Sequence, residues 1–353
     1  MLKQLLNNPP AWLSHSTGEG TIAVSTRIRL ARNLDSYPFP ARCTDEQRRE
    51  IVALVSAAAN KTTALAAARL LWLDDLSPVD RLFLVERHLV SPEFVQQKAP
   101  AALLLSESET CAVMINEEDH LRIQTLQPEL ALDQTWAFVD QLDTEFEQTL
   151  PYAYSARFGY LTACPTNVGT GLRASVMLHL PALVHEHKIG GVISAVGKVG
   201  IAVRGFYGEN SEARGHLFQI SNQVTLGRSE PDIIRQLTQI VKRIVEHEAK
   251  LREALIKNAP HQIRNDVGRA FGTLKYAEIL TSDEATELLS MLLMGVDLQV
   301  FPGLDRATVS ALLIDIQPAH LQLLCGTELP REQRDLERAK IIRERLHNIE
   351  WKP

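Results

Sequence analysis

The periodicity of the chain changes at Ser229, and that change restricts the folds open to it. Before Ser229, apolar residues come in short β-branched or alternating runs. After it they recur at helical spacing: Ile233, Ile234, Leu237, Ile240, Val241, Ile244 and Val245 share one face. Ser229-Glu230-Pro231-Asp232 reads as the helix start, a capping box with Ser229 as N-cap. From there to Trp351 the chain reads as helices punctuated by Pro260, Pro302, Pro318 and Pro330. A mixed, antiparallel-leaning sheet region followed by an all-helical region accommodates both halves, so the expected class is α+β. With 353 residues and roughly 150 per domain as a prior, two domains are expected, 1–257 and 258–353, divided near Lys257–Pro260.

Within the first region, Thr21–Leu30 reads as a strand, and Thr44–Leu73 as helical, from its Ala/Leu richness. Ala101–Ser106, Cys111–Ile115 and His120–Leu126 read as neighbouring strands, and Leu132–Leu150 as an amphipathic helix. Tyr160–Ala163 reads as a strand opening into a Gly-bearing loop. His185–Gly197 fits a helix or a buried strand, and Ile201–Phe206 and Leu217–Ser221 read as strands around the irregular loop Gly205–Gly215.

A net charge of −6 gives no global field for nucleic acid or acidic lipid. The four cysteines are scattered with no CxxC pair, which speaks against a zinc site or a disulfide framework. There is no signal-peptide h-region and no apolar run near the ~18 residues of a membrane span, so a cytoplasmic location is expected.

The arginines carry the first chemical signal. Arg27 and Arg29 sit two apart on a strand and project from one face. Arg122 follows a strand turn, Arg173 closes Gly169-Thr170-Gly171-Leu172-Arg173, and Arg204 ends a strand before another Gly-bearing loop. Any one of them alone is an ordinary solvated rim residue. Five beside tight turns suggest a polyanion clamp, because guanidinium groups stay charged and bind phosphate bidentately. The Walker pattern GxxxxGK[ST] is absent.

Asn116-Glu117-Glu118-Asp119-His120 puts three acids at a turn, and Gly208-Glu209-Asn210-Ser211-Glu212 adds acids on a second loop. Each is a plain solvated turn by itself. Two acid loops facing arginines would suit the joining of a cation to a polyphosphate. Cys164, before Pro165, enters a polar loop, although a lone cysteine is more often a small buried hydrophobe. Arg334 and Arg338 in Arg334-Asp335-Leu336-Glu337-Arg338-Ala339 share a helix face. That is either a charged surface helix or a pocket for a phosphorylated group.

Taken in order, Ser25-Thr26-Arg27-Ile28-Arg29, NEEDHLR at 116–122, CPTNVGTGLR at 164–173 and the Arg204 loop through ISN at 220–222 resemble the phosphagen (guanidino) kinases over roughly residues 20–230. Only 24 residues precede Ser25, where the small-molecule enzymes carry a helical domain. The helical C-terminal region with RDLERA resembles the bacterial protein-arginine kinases instead. That resemblance implies a phosphagen-kinase-like catalytic domain and ATP-dependent phosphorylation of arginine in proteins, with ATP and Mg²⁺. It implies nucleotide contacts at Ser25, Thr26, Arg27, Ile28, Arg29, His88, Arg122, Arg173, Ala174, Ser175, Val176, Met177, Arg204, Gly205, Phe206, Tyr207 and Gly208.

The resemblance further implies that Glu118 and Glu209 hold the target guanidinium, with Cys164 alongside it. Arg334, Asp335, Arg338 and Ala339 match an allosteric phosphoarginine site. Implied partners are protein substrates with accessible arginine, a zinc-bearing activator, a Clp-type protease that degrades tagged proteins in a stress response, and a second copy of the chain. Two readings compete: a kinase for free arginine or another small guanidino compound, and a non-catalytic phosphoarginine-binding adaptor.

Overall fold

A computed structural model of the chain describes residues 5–6, 8–13, 22–205, 214–301 and 303–351. The strands are β1 (Ala23–Arg32), β2 (Arg69–Trp72), β3 (Ala102–Leu105), β4 (Cys111–Ile115), β5 (Leu121–Pro128), β6 (Tyr154–Ser155), β7 (Gly159–Tyr160), β8 (Leu172–His179), β9 (Ile201–Arg204) and β10 (Leu217–Asn222). Eight of them form one sheet in the order β2-β3-β4-β5-β1-β8-β10-β9. Every neighbouring pair in it is antiparallel. β6 and β7 make a separate small hairpin.

Helices α1 (Asp45–Ala59), α2 (Pro78–Glu86), α3 (Leu132–Glu147), α4 (Pro181–His185) and α5 (Ile189–Gly197) fall among the strands. Then come α6 (Glu230–Asn258), α7 (Pro260–Tyr276), α8 (Ser282–Asp297), α9 (Arg306–Asp315), α10 (Pro318–Cys325) and α11 (Arg331–Leu346). Ser229 does cap α6, its hydroxyl accepting the Asp232 N–H. The helix break between Asn258 and Pro260 follows from the proline, which tolerates only the first turn of the next helix. Among the described residues no helix is long and apolar enough to cross a membrane.

Alternation along the central strands explains how the sheet is covered. Ile28 and Leu30 of β1, Ile123 of β5, Ala174, Val176 and Leu178 of β8 and Ile220 of β10 all lie in one apolar core. α1, α3 and α6 contribute to that core through Ile51, Val55, Val139, Phe146, Leu237 and Val241. On the opposite face α2 and α10 cover only the β3–β4 end, packing Phe83, Leu84 and Ala319 against Leu103 and Met114. Elsewhere on that face Leu126, Met177 and Leu217 are buried in a third apolar cluster with Trp12, Leu13 and Ile314, while Arg27, Arg29, Arg122 and Arg173 form the floor of a cleft.

Three segments differ from the sequence expectation. The helix expected over Thr44–Leu73 stops at Ala59, and Arg69–Trp72 is an edge strand on β3. β3 is fully buried, so its free backbone edge needs partners, and that requirement overrides a weak helical preference. The strand expected at Tyr160–Ala163 shortens to Gly159–Tyr160, because Ala163 turns to donate its N–H to Asp119 at 2.7 Å. The ambiguous run His185–Gly197 resolves into two short helices, α4 and α5.

Candidate active site

The central register sets the chemistry of the floor. Arg29 lies directly opposite Arg173 across β1 and β8, and on the other side β5 places Arg122 opposite Ala31. Since side chains alternate, Arg27, Arg29, Arg122 and Arg173 emerge on one face and line a cleft of about 630 Å³. Arg48, His88, Glu117, Glu118 and Cys164 line its walls. Arg27 is oriented by a hydrogen bond to Gln219 Oε1 at 2.9 Å. Burial first, then the charges of Arg27, Arg122 and Arg173, hold the Arg29 pKa well below its usual value, with Glu117 opposing. Such crowded cations are at ease only when an anion sits among them.

The acid turn closes over one end of the floor. Asn116, at φ 62°, permits the sharp reversal into Glu117; its side-chain amide donates to Arg48 O at 2.9 Å. Glu117 is buried and forms an ion pair with Arg122 at 2.6 Å, and it also accepts a hydrogen bond from Ser91 Oγ. The Glu118 side chain is 45% exposed and 3.5 Å from Arg122, reaching into the cleft from its rim. Asp119 Oδ1 accepts from Asn33 Nδ2 at 2.6 Å and from Ala163 N at 2.7 Å. The turn is thereby tied to the loop carrying Cys164, whose Sγ lies 3.0 Å from Thr166 Oγ1. Burial raises the Asp119 pKa against these bonds.

Gly171 must be glycine. It sits at φ +65°, and a Cβ there would lie 2.6 Å from Ala31 O. Gly171→Ala is expected to destabilise the protein by more than the roughly 1–2 kcal/mol of the left-handed conformation alone, and to displace Arg173 two residues on. Denaturant titration and ATP turnover would measure both effects; wild-type behaviour would contradict the placement.

Two buried histidines make the site acid-sensitive. Burial, then Arg27, pushes His88 down to about 3. Burial, then Arg48, pushes His120 down to about 4 against the Pro38 carbonyl. Both rings stay neutral when folded, while the unfolded chain takes up protons below pH ~6.5. Stability is therefore complete above about pH 6.5 and falls as pH drops towards about 4, at up to about 1.4 kcal/mol per pH unit for each ring. Urea titrations at about pH 7 and 5.5 should separate; His120→Gln should reduce the difference, and equal midpoints would refute it.

Other expected site residues fall in different places. Ser25, Ser175 and Met177 line a small recess continuous with Arg27 and His88. Thr26, Ile28, Ala174 and Val176 have buried side chains on the core side of the sheet, which leaves only their backbone to meet a nucleotide. Thr26 Oγ1 instead donates to Glu129 O at 2.6 Å. Arg204, on β9, stands outside the residues lining the cleft and donates to Ser221 Oγ at 3.2 Å; buried Gly205 follows it. Phe206, Tyr207, Gly208 and Glu209 lie outside the described residues.

A second cleft of about 470 Å³ gathers Arg334, Asp335 and Arg338 of α11 with Arg214, Arg331 and Glu86. Arg338 is almost fully buried and donates to Ile316 O, Leu280 O and Asp335. Burial lowers its pKa against the help of Asp335. Ala339, the last residue of the motif, packs in the core beside Arg338.

Glu117 and Arg48 were not singled out by sequence reasoning. A signal for Glu117 existed: its neighbours alternate about the turn, so one glutamate had to face inward. Arg48, on a helix rich in charge, carried none.

A floor of arginines under an acid-bearing turn and a cysteine-bearing loop is the arrangement of a guanidino phosphotransferase, and the comparisons agree. Residues 50–251, more than half of the chain, match the family model described as ATP:guanido phosphotransferase, C-terminal catalytic domain. Residues 260–353 match the protein-arginine kinase McsB C-terminal domain. Among solved structures, the duplicated taurocyamine kinase from Schistosoma mansoni with bound transition state analog components superposes with TM-score 0.60 at 26% identity, covering 76% of this chain and 41% of that one. Lombricine kinase superposes with TM-score 0.59 at 24% identity, covering 70% and 72%, a likeness of fold.

Curated relatives cover nearly the whole length. The protein-arginine kinase of Moorella thermoacetica is 45% identical over 95% of this chain and 97% of its own. That of Brevibacillus brevis is 43% identical over 99% and 98%. The chain belongs to the ATP:guanido phosphotransferase family, in its protein-arginine kinase branch.

Proposed function

We propose that this protein transfers the γ-phosphoryl group of ATP to the guanidinium of arginine residues in other proteins. The observation that carries the reading is the cleft in which Arg27, Arg29, Arg122 and Arg173 face Glu117, Glu118 and Cys164. Four permanent cations suit a polyphosphate, and a half-exposed carboxylate at the rim suits a cation arriving from solvent.

A free guanidinium stays protonated at neutral pH and has little nucleophilicity. Glu118, with Glu209 from the second acid loop, would grip its planar fork and hold one nitrogen in line with the γ-phosphorus. Alignment of this kind accounts for roughly 7–11 kcal/mol of barrier in well-oriented systems. As the N–P bond forms and the bond to the β–γ bridging oxygen breaks, ADP leaves with the electron pair and the guanidinium proton passes to Glu118. The carboxylate is the weaker base, so the proton leaves late and positioning dominates. Cys164 would border the guanidinium.

The arginine floor stabilises the charge on the equatorial oxygens of the transferring group. Among the described residues no three His, Cys, Asp or Glu side chains gather to hold a metal. Mg²⁺ needs no such cage, since one or two carboxylates plus phosphates hold it, and Glu117 beside Arg122 fits that requirement. Bound there, Mg²⁺ would supply charge neutralisation on the phosphates.

In this reading residues 1–257 are the catalytic domain and 258–353 a domain for self-association and phosphoarginine binding at Arg334, Asp335 and Arg338. Cytoplasmic action on proteins with accessible arginine, with an activator and a Clp-type protease as partners, completes the proposal. Incubation of an unfolded arginine-rich protein, and separately of free arginine, with ATP and Mg²⁺, followed by mass spectrometry under conditions that preserve acid-labile phosphoramidates, tests it. Phosphoarginine in the protein is the expected result. Phosphorylation of free arginine alone would favour the small-molecule reading, and no ADP release in either sample would favour the adaptor.

A further inference from the structure

The two clefts share a wall: Val85 and Pro92 line both. Between these residues, Glu86 is the last residue of α2 and is 2% exposed. Its carboxylate accepts the backbone N–H of Ala319 at 2.7 Å and of His320 at 3.0 Å, and lies 2.7 Å from His320 Nδ1. Ala319 and His320 belong to the first turn of α10, whose N–H groups have no partners within the helix. One buried anion therefore fastens the C-terminal helices to the end of α2, across more than 230 residues of sequence. A well-packed apolar pair commonly serves stability as well as a buried charge does, so this carboxylate calls for a role that packing alone does not fill.

Each side of the fastening leads to a cleft. On the C-terminal side, Arg338 Nε donates to Ile316 O at 3.0 Å, two residues before Pro318 opens α10, and Gln317 and Pro318 themselves line the second cleft. On the other side, Arg87 is clamped by Glu109 through two bonds of 2.7 Å. His88 follows at φ 60°, its carbonyl accepting from Gln124 Nε2 at 2.8 Å, and it faces the arginine floor. The path from the second cleft to the first is thus Arg338, Ile316, the first turn of α10, Glu86 and His88, with a hydrogen bond or a short stretch of backbone at each step.

We infer that Glu86 is a positioning residue through which occupancy of the second cleft is felt at the nucleotide cleft. A ligand bearing a phosphorylated guanidinium, drawn to Arg334 and Arg338, competes for the Arg338 donors that hold Ile316. Displacement of that segment shifts the first turn of α10 and, through Glu86, resets the backbone that presents His88. The inference rests on the phosphoarginine reading of the second cleft given above, and the test separates the two.

The experiment uses the full chain and free phosphoarginine as probe. KM for ATP and kcat are measured with and without saturating phosphoarginine for the wild type, Glu86→Gln and His320→Gln, and phosphoarginine affinity is measured by calorimetry on each. The wild type should show a shift in KM for ATP of about fivefold or more. Glu86→Gln keeps one acceptor oxygen, for one of the two backbone N–H groups, so it should still bind phosphoarginine, with the shift in KM reduced to less than about twofold. A merely structural Glu86 would lower stability and leave the shift intact, and that result overturns the proposal. If Glu86→Gln does not fold, His320→Gln, which touches the same carboxylate, decides by the same criterion.

Phosphoarginine that binds the wild type without changing KM also overturns the coupling, while leaving the kinase reading standing. Absence of phosphoarginine binding sinks the ligand reading of the second cleft. In that event ADP affinity decides the coupling: Arg338→Lys and Glu86→Gln should combine non-additively, and additive effects overturn it.

Discussion

Replacing Glu118 by glutamine is expected to lower kcat by about 10²–10³-fold, the scale of losing one preorganised partner of a developing charge, while KM for ATP changes little. The isostere keeps the shape of the rim and one acceptor oxygen, but it takes up no proton and no longer opposes the charge of the incoming cation. The selectivity of the effect follows from geometry. Glu118 is the exposed acid of the turn, 3.5 Å from Arg122, whereas Glu117 is already committed at 2.6 Å to the same arginine. ADP release and phosphoarginine yield, measured together across ATP and acceptor concentrations, separate kcat from KM. Near-normal turnover by Glu118→Gln would remove the glutamate from the proposed chemistry.

Arg122→Ala should produce two separable losses. Arg122 holds both Glu117, whose side chain is 2% exposed, and Glu118. Its removal leaves a buried carboxylate without its ion-pair partner, a change that destabilises by about 3–5 kcal/mol. It also withdraws one cation from the phosphate floor, expected to lower kcat/KM for ATP by about 2.7–4 kcal/mol of transition-state stabilisation. The second substitution Glu117→Gln removes the stranded charge, so the double variant should recover much of the stability and little of the activity. Denaturant midpoints and steady-state kinetics on the two single variants and the double decide this. Recovery of activity along with stability would show that Arg122 only compensates the buried charge of Glu117 and does not act on the phosphates.

Sequence pattern reached furthest where local periodicity and burial agree. β1 was readable because alternation in Arg27–Ile28–Arg29–Leu30 matches a strand with one face in the core and the other on the cleft, and β4 because the short apolar run Cys111–Ile115 suits a strand buried on both faces. The start of α6 was readable because Ser229 caps it. Pattern failed where partners distant in sequence decide. Arg69–Trp72 pairs with β3 only because that strand's edge is otherwise open, and nothing within the segment announces it. At the site, the pairing of Arg29 with Arg173 depends on register between strands about 140 residues apart in the chain, so the sequence could nominate the arginines without saying which would meet. Arg204 was nominated by the same loop position as the others; β9, which carries it, lies at the edge of the sheet. Ile28, Ala174 and Val176 belong to the same contiguous runs as cleft residues, and alternation alone places their side chains on the core face.

Cations placed directly across a strand pair weaken a sheet, and this fold sets Arg29 against Arg173 at its centre, with Arg27 and Arg122 alongside. Salt ordinarily screens away surface attraction; here it screens a built-in repulsion, so thermal resistance should rise with ionic strength and rise further with inorganic phosphate or ADP. At one hundred times its dissociation constant a bound nucleotide would contribute about 2.7 kcal/mol. The empty enzyme is a loaded spring that its own reagent unloads, which makes nucleotide concentration a governor of the protein's lifetime as well as of its turnover.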